Sequence, residues 1–141
     1  MAIQWTESPD QIDWKELSEL YRIAPLGNKS PEWLKTAYSN SMFKYFALDE
    51  ERIVASGRAV ADGVDCSYLC DIVVHPKLQG AGLGKELIQK LVEKSKGHRK
   101  IILYAVPGRE SFYARFGFRR MKTAMAIFDN PEKALSDGYI E

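Results

Sequence analysis

The sequence has almost no net charge and no long apolar run. Its 141 residues include 20 Lys and Arg against 19 Asp and Glu, a net charge of +1, which gives no general attraction to nucleic acid or an anionic membrane. Because no apolar run reaches about 18 residues, no transmembrane helix is expected. The first ten residues lack a basic segment followed by an apolar one, so no signal peptide is expected. These absences predict a cytoplasmic protein that binds neither nucleic acid nor membrane.

Cysteine is also scarce, since only Cys66 and Cys70 occur, four positions apart in one apolar segment. On a regular strand their Cα atoms would lie about 13 Å apart, whereas a disulfide requires about 7 Å or less. Neither cysteine lies in the CxxC or Cys/His spacing of a zinc site. We therefore expect two small buried apolar side chains, with no disulfide and no metal site.

What the chain does contain is ordinary for a soluble globular protein, with 45% apolar and 28% charged residues. Composition and length predict one domain over residues 1–141. Apolar periodicity predicts six strands, at residues 3–5, 43–48, 52–61, 68–74, 100–106 and 123–128. Helices are predicted to begin at Ser8–Pro9, Ser30–Pro31, Gly82 and Glu110. This order predicts an α/β fold whose mixed sheet is antiparallel in the middle and has one parallel pair across the third helix.

A glycine-rich segment separates the apolar strand 68–74 from the third helix. It reads Gln79-Gly80-Ala81-Gly82-Leu83-Gly84 and is called the glycine turn below. Amides at a helix N-terminus are unsatisfied and lie at the positive end of the helix dipole, and a pyrophosphate satisfies them. Glycines let the backbone bend and approach the anion closely. Lys85 either adds positive charge to such a site or is a solvated surface lysine.

Two common phosphate motifs do not fit the glycine turn. A Walker A loop ends in Gly-Lys-Ser/Thr, but Gly84-Lys85 is followed by Glu86, and Gln79 stands where the first glycine belongs. A dinucleotide fingerprint requires G-x-G-x-x-G, whose last position would fall on Lys85 or Leu87. The pattern that fits is Q-x-x-G-x-G.

This pattern, after D-I-V-V-H-P and together with F-Y-x-x-x-G-F at residues 112–118, resembles the GCN5-related N-acetyltransferases (GNAT). The resemblance runs over nearly the whole chain. It implies the single-domain acyl-CoA N-acyltransferase fold, a mixed, mostly antiparallel sheet flanked by helices, with a parallel strand pair that splays apart. It also implies a transferase that moves an acetyl group from acetyl-CoA, used as a cosubstrate, to a primary amine by direct attack in a ternary complex.

The resemblance also assigns the residues that bind the coenzyme. The pantetheine arm is expected between strands 68–74 and 100–106, facing Ile72, Val73 and Val74, with an amide near Ile72 or Val73 polarising the thioester carbonyl. The pyrophosphate is assigned to the residues of the turn, Gln79, Gly80, Ala81, Gly82, Leu83, Gly84 and Lys85. Many relatives carry an asparagine after the second of these strands. Here Ala105-Val106-Pro107 follows instead, so that contact is absent or is made by backbone.

Two residues are candidates for catalysis. The resemblance places the general acid at Tyr113, whose phenol would protonate the departing CoA thiolate. Asp71 is the only charged residue between Tyr68 and Val74, and a carboxylate in such a run costs several kcal/mol unless it is paired or solvated. Asp71 is therefore either a structural hydrogen-bond acceptor or the base that acts on the amine.

The acceptor is less defined. The sequence resembles most the small arylalkylamine-type (serotonin-like) acetyltransferases, which implies a small primary amine, with a protein N-terminus or lysine as the alternative. Family acceptor sites lie beside the first two helices, which here carry Trp14, Tyr21, Trp33 and Tyr38, side chains that are also typical of a core. The resemblance allows a homodimer. Two further readings are a non-catalytic acyl-CoA sensor and an interaction module on a borrowed fold.

Overall fold

The computed structural model describes residues 2–141. The strands are β1 (Ile3–Thr6), β2 (Phe43–Asp49), β3 (Arg52–Ala61), β4 (Cys66–Val74) and β5 (Lys100–Ile102). The α-helices are α1 (Trp14–Ile23), α2 (Pro31–Ser39), α3 (Leu83–Ser95), α4 (Glu110–Ala114) and α5 (Pro131–Ser136). A short 3-10 helix, Pro76–Leu78, connects β4 to α3.

The chain divides into two compact units, the first ending at Leu103 and the second comprising Tyr104–Glu141. The first unit contains the sheet and α1 to α3, and the second contains α4 and α5. The assignment of residues 1–141 to one domain stays a prediction. Within residues 2–141, no helix combines the length and the apolar character needed to cross a membrane.

The predicted mixed sheet is confirmed, with the strand order β1-β2-β3-β4-β5. The first three pairings are antiparallel and the last, between β4 and β5, is parallel. That parallel ladder is short and joins Cys66 to Lys100, Ser67 to Ile101 and Tyr68 to Ile102. Among the described residues, no strand continues this ladder along Leu69–Val74. We call this side of Leu69–Val74, which faces away from β3, the open edge of β4.

Helices cover both faces of the sheet because neighbouring strand residues point in opposite directions. Phe46 belongs to a buried cluster with residues of α1 and α2, while Ala47 belongs to a second cluster that includes Leu83 of α3. The inner stripe of α3 recurs at helical spacing and is buried, at Leu83, Leu87, Ile88 and Leu91. Burying each such leucine or isoleucine fully contributes about 1.5–3 kcal/mol, so the start of α3 is held firmly against the sheet.

The prediction that the first helix begins at Ser8–Pro9 is wrong, because the cap lies five residues later. The Asp13 carboxylate accepts hydrogen bonds from the amides of Lys15 (3.0 Å) and Glu16 (3.2 Å), so α1 begins at Trp14. Ile12, just before this cap, is buried in the same cluster as residues of α1. Apolar packing on both sides of Asp13 therefore fixes the start of the helix.

The remaining differences lie near the C-terminus. Strand 100–106 is shorter than predicted because its ladder with β4 ends at Ile102. The strand predicted at 123–128 is wrong, because the described residues there have no ladder partner, and Met125 and Ile127 are fully exposed. Helix α5 was missed although Asn130-Pro131 signals its start: the Asn130 side chain accepts from the amide of Lys133 at 3.0 Å.

Candidate functional site

The N-terminus of α3 has no side-chain cap. Gly82 is its N-cap residue, with φ 90° and ψ 1°, and no side chain bonds to its amides. The first helical hydrogen bond runs from the Glu86 amide to the Gly82 carbonyl at 3.0 Å. Within residues 2–141, no acceptor is found for the amides of residues 82–85. Four unsatisfied N–H groups at the positive end of a 13-residue helix form a site suited to an anion.

Backbone conformation, and not crowding, is what requires glycine in this turn. Gly80 has φ 89° and Gly82 φ 90°, a left-handed region that side-chain-bearing residues seldom adopt. A Cβ built on either glycine would meet no heavy atom within 4 Å. The backbone is therefore open on this side, and a ligand can approach its amides directly.

Hydrogen bonds anchor the start of the connection to the end of β4. The His75 amide donates to the Val54 carbonyl of β3 at 2.8 Å, and the His75 carbonyl accepts from the Leu78 amide at 2.9 Å. The His75 ring accepts from the Lys77 amide at 3.2 Å. His75 therefore serves the turn as a structural residue that joins the 3-10 helix to the sheet.

The residues predicted to bind the phosphate differ in their contacts and in their burial. Gln79 donates from Nε2 to the Val74 carbonyl at 3.3 Å, which ties the glycine turn to the end of β4. Leu83 is buried in the core, whereas Ala81 and Lys85 are exposed. The structure thus brings the glycine turn to the C-terminal end of β4, the strand that carries Ile72, Val73 and Val74.

A β-bulge interrupts β4 next to this end. The register with β3 pairs Ser56 with Val73 and Arg58 with Cys70. Two residues of β4, Asp71 and Ile72, therefore lie opposite Gly57 alone, as in a bulge. Asp71 has φ 56°, the left-handed conformation that asparagine and aspartate adopt more readily than other residues with side chains.

Gly57 is required here by close packing. A Cβ at this position would lie 2.9 Å from Ile72 Cδ1 and 3.2 Å from both Leu87 Cδ2 and Leu91 Cδ1. The bulge and helix α3 therefore pack directly on the backbone of β3. An isolated glycine inside a predicted strand is a known signal of a bulge or a close approach, and Gly57 is the residue by which the sequence marks this one.

Backbone direction shows which groups of β4 face the open edge. The His75 amide points toward β3, because it donates to Val54. Since direction alternates along a strand, the amide and carbonyl of Val74 point the other way, and the Val74 carbonyl indeed accepts from Gln79 outside the ladder. By the same alternation the Ile72 amide faces the open edge. An extended ligand could therefore bond to β4 there as an added strand does.

The Asp71 carboxylate is paired. Arg58 donates from Nε to Asp71 Oδ2 at 3.0 Å, and the two side chains are only 13% and 23% exposed. Burial is the largest single influence and acts to lower the pKa of Arg58, but the charge and hydrogen bond of Asp71, together with Cys70 and Tyr21, raise this pKa above its usual value. The pair satisfies a carboxylate that would otherwise be costly in an apolar strand. This contact supports the structural reading of Asp71, and its role as a base stays a prediction.

The aromatic residues of α1 and α2 are mainly core. Tyr21 and Tyr38 are fully buried, and their hydroxyls share a hydrogen bond of 2.8 Å. Tyr38 also bonds to the Ser56 hydroxyl at 2.6 Å. Burial raises the pKa of both phenols far above the usual value, so both stay neutral. Trp14 packs on Tyr38, while Trp33 is partly exposed beneath the ammonium group of Lys29.

Tyr113 belongs to the second unit, in the short helix α4. Its ring packs edge-on against Phe112, with centroids 5.1 Å apart, and against Phe118 at 6.3 Å. Burial raises the pKa of its phenol, although the nearby Arg109 acts to lower it. No hydrogen-bond partner for the hydroxyl is found among residues 2–141. The phenol is thus protonated at neutral pH and has an unused proton to donate.

The thiols and histidines outside the turn give no sign of metal binding. Cys66 and Cys70 are free and half-buried. The part of the chain that the structure describes contains no group of three His, Cys, Asp or Glu side chains able to hold a metal ion. His98 is structural, because its ring accepts from the Gly63 amide at 3.0 Å and bonds to the Ser95 carbonyl at 2.9 Å.

A mixed sheet whose two parallel strands, β4 and β5, are connected through an uncapped, glycine-rich helix start is typical of the acyl-CoA N-acyltransferase class of fold. The model of the acetyltransferase (GNAT) family matches residues 7–118. The chain therefore belongs to the GNAT family.

Two relatives and one solved structure show the extent of this similarity. An uncharacterized N-acetyltransferase (ycf52-like) of Prochlorococcus marinus is 31% identical over 76% of this chain and 63% of its own length. Serotonin N-acetyltransferase 2, chloroplastic, of Oryza sativa subsp. japonica is 33% identical over 76% of this chain and 56% of its own. A GNAT-family acetyltransferase structure from Streptococcus pneumoniae has TM-score 0.76 and 25% identity, covering 92% of this chain and 97% of that one. The chain thus spans about three fifths of the length of the first two relatives.

Proposed function

We propose that this protein transfers the acetyl group of acetyl-CoA to a small primary amine. The observation that carries the proposal is the set of four unsatisfied amides at residues 82–85, beside two left-handed glycines with open space around them. Membership of the GNAT family supports acetyl-CoA as the ligand. In the proposal the pyrophosphate accepts hydrogen bonds from these amides, with Gln79 holding the turn in place.

The pantetheine arm is proposed to bind along the open edge of β4. The Ile72 and Val74 amides that face this edge would bond to the arm, and the Ile72 amide, rather than that of Val73, which points toward β3, would polarise the thioester carbonyl as an oxyanion site. This interaction strengthens as negative charge develops on the carbonyl oxygen, so it favours the transition state over the bound substrate.

The reaction is direct attack by the amine. A free alkylamine has a pKa of about 10, judged from lysine, so it must first lose a proton, and Asp71 is the proposed base, acting directly or through water. The nitrogen then bonds to the carbonyl carbon and releases a second proton to solvent, and the carbon–sulfur bond breaks. Asp71 returns the proton that it took up to solvent. Tyr113 gives its proton to the departing thiolate and regains one from solvent. The raised pKa of Tyr113 keeps the phenol protonated at the start of each cycle.

The acceptor is proposed to be an arylalkylamine or a similar small amine. The printed activity of the rice relative, a serotonin N-acetyltransferase, supports this choice. A protein N-terminus or a peptide lysine is the alternative acceptor, and the net charge of +1 favours neither class of amine.

A thiol-release assay tests the proposal. The protein is mixed with acetyl-CoA and, separately, with an arylethylamine, an alkylamine, a lysine-containing peptide and no acceptor. We expect release well above the no-acceptor rate with at least one small amine. Release with the peptide alone would indicate a protein acetyltransferase. Calorimetric binding of acetyl-CoA without release for any acceptor would indicate a sensor, and no binding of the coenzyme would contradict the whole proposal.

A further inference from the structure

One residue in the middle of the sheet has a backbone conformation typical of turns. Three residues other than glycine have positive φ within residues 2–141: Glu50, Glu51 and Asp71. The two glutamates form the tight turn between β2 and β3, where such angles are common. Asp71, in contrast, lies inside β4. An isolated left-handed residue within a strand persists only if its surroundings hold it there.

Arg58 supplies that hold from the neighbouring strand. Its Nε donates to Asp71 at 3.0 Å, while its Nη1 donates to the Ser41 hydroxyl at 3.2 Å. Ser41, 2% exposed, donates in turn to the Ala37 carbonyl of α2 at 2.7 Å. A planar guanidinium can bond in two fixed directions at once. The side chain of Asp71 is therefore linked through Arg58 and Ser41 to the last turn of α2.

We propose that Arg58 is a positioning residue for the coenzyme: it holds β4 in its bulged form, so that the Ile72 and Val74 amides face the open edge. This inference rests on the proposed function, because the pantetheine arm is proposed to bind at that edge. Without Arg58 the half-buried Asp71 carboxylate would lose its partner and turn toward water. The strand could then leave the bulge, and a one-residue change of register turns side chains and amides to the opposite side.

The rival explanation is that Asp71 stabilises the bulge unaided, since aspartate tolerates the left-handed region. Arg58 would then be only a neighbour that neutralises its charge. If Arg58 holds the bulge, removing it should weaken CoA binding, and a glycine at position 71 should restore that binding. If Asp71 holds the bulge unaided, removing Arg58 should leave CoA binding unchanged.

The experiment compares two ligands on three variants by calorimetry. One ligand is CoA, and the other is adenosine 3′-phosphate 5′-diphosphate, the nucleotide half of CoA, which has the pyrophosphate but no pantetheine. For Arg58→Gln we expect the dissociation constant of CoA to rise about tenfold, equivalent to about 1.4 kcal/mol, while that of the nucleotide half stays unchanged. The control is Arg52→Gln on the same strand. The Arg52 side chain is 79% exposed, and its ion pair with Glu16 is long, at 3.9 Å. This variant should change neither dissociation constant.

The third variant restores the bulge by another route. In Arg58→Gln/Asp71→Gly, glycine adopts the left-handed conformation without strain and no carboxylate is left unpaired. We expect its dissociation constant for CoA to return to within about threefold of the native value, which corresponds to a difference in binding free energy of about 0.6 kcal/mol. Binding is the readout, so the loss of the proposed base does not affect the result.

Each outcome decides the question. A folded Arg58→Gln with native affinity for CoA overturns the inference, as does a double variant that binds no better than Arg58→Gln. Equal losses for both ligands would also overturn it, because the effect would not be confined to the pantetheine. If Arg58→Gln alone does not fold, the folded double variant decides by its CoA affinity. Failure of the native protein to bind CoA would instead be a failure of the proposed function.

Discussion

Replacing Gly82 by alanine tests the assigned anion site through a change whose structural effect can be estimated. Gly82 has φ 90° at the cap of α3, and an alanine in the left-handed region is less stable by about 1–2 kcal/mol. No atom lies within 4 Å of the added Cβ, so no steric penalty is added. The free energy of unfolding should therefore fall by about 1–2 kcal/mol, and the domain should remain folded.

The loss of binding free energy for acetyl-CoA should be larger than the loss of the free energy of unfolding. The new methyl group projects into the open space beside the amides of residues 82–85, where the pyrophosphate is proposed to bind. Displacing the anion from one of these amides removes a hydrogen bond to a charged group, about 1.5–3 kcal/mol. The dissociation constant of acetyl-CoA should therefore rise about 10- to 150-fold.

The same helix offers a matched control at its other end. Gly97 has φ 98°, and a Cβ there would also meet nothing within 4 Å. Gly97→Ala should therefore lose a similar free energy of unfolding in urea but bind acetyl-CoA normally in calorimetry. Native affinity in Gly82→Ala would refute the assigned anion site. Equal losses of affinity in both variants would show that strain, and not ligand contact, is responsible.

Three further predictions concern single side chains. Tyr113→Phe should lower kcat by about 100-fold or more with the KM for acetyl-CoA unchanged, whereas Tyr139→Phe in the same unit should behave as native; full turnover in Tyr113→Phe would exclude it as the acid. Backbone amides lower the pKa of Asp62 to about 2, below its unfolded value, so its stabilising effect is present above about pH 4 and is lost as the pH falls to about 2. Asp62→Asn should flatten the dependence of Tm on pH in that window, and an unchanged slope would contradict the assignment. Tyr38→Phe should lower the free energy of unfolding by about 1–3 kcal/mol, measured in urea, because it leaves the buried Tyr21 hydroxyl without its partner; a loss below about 0.5 kcal/mol would contradict this.

Local chemistry made the glycine turn predictable from sequence. The left-handed angles at Gly80 and Gly82 and the free amides of α3 depend on residues adjacent in the chain. The antiparallel order of β2, β3 and β4 also follows from short connections with turn residues. The uncapped start of α3 and the sheet that presents it can therefore be recognised from the order of the residues alone, and the binding of an anion there stays a prediction.

What the sequence could not supply depends on pairing between distant residues. The bulge at Asp71 exists because β4 has one more residue than β3 between the two aligned pairs that flank it. The register between two strands depends on both of them, so the sequence of one strand does not reveal it. Arg58 meets Asp71 only after that register forms. The strand predicted at 123–128 failed for the same reason, because alternation predicts a strand but cannot provide its partner.

The most direct test of the central claim is a titration of the ¹⁵N-labelled protein with CoA, followed by amide chemical shifts. The account predicts that the amides of residues 82–85, which have no acceptor of their own, shift downfield on binding, while those of residues 96–98 at the other end of α3 do not move. Saturable binding of CoA that leaves the amides of residues 82–85 unchanged would contradict it.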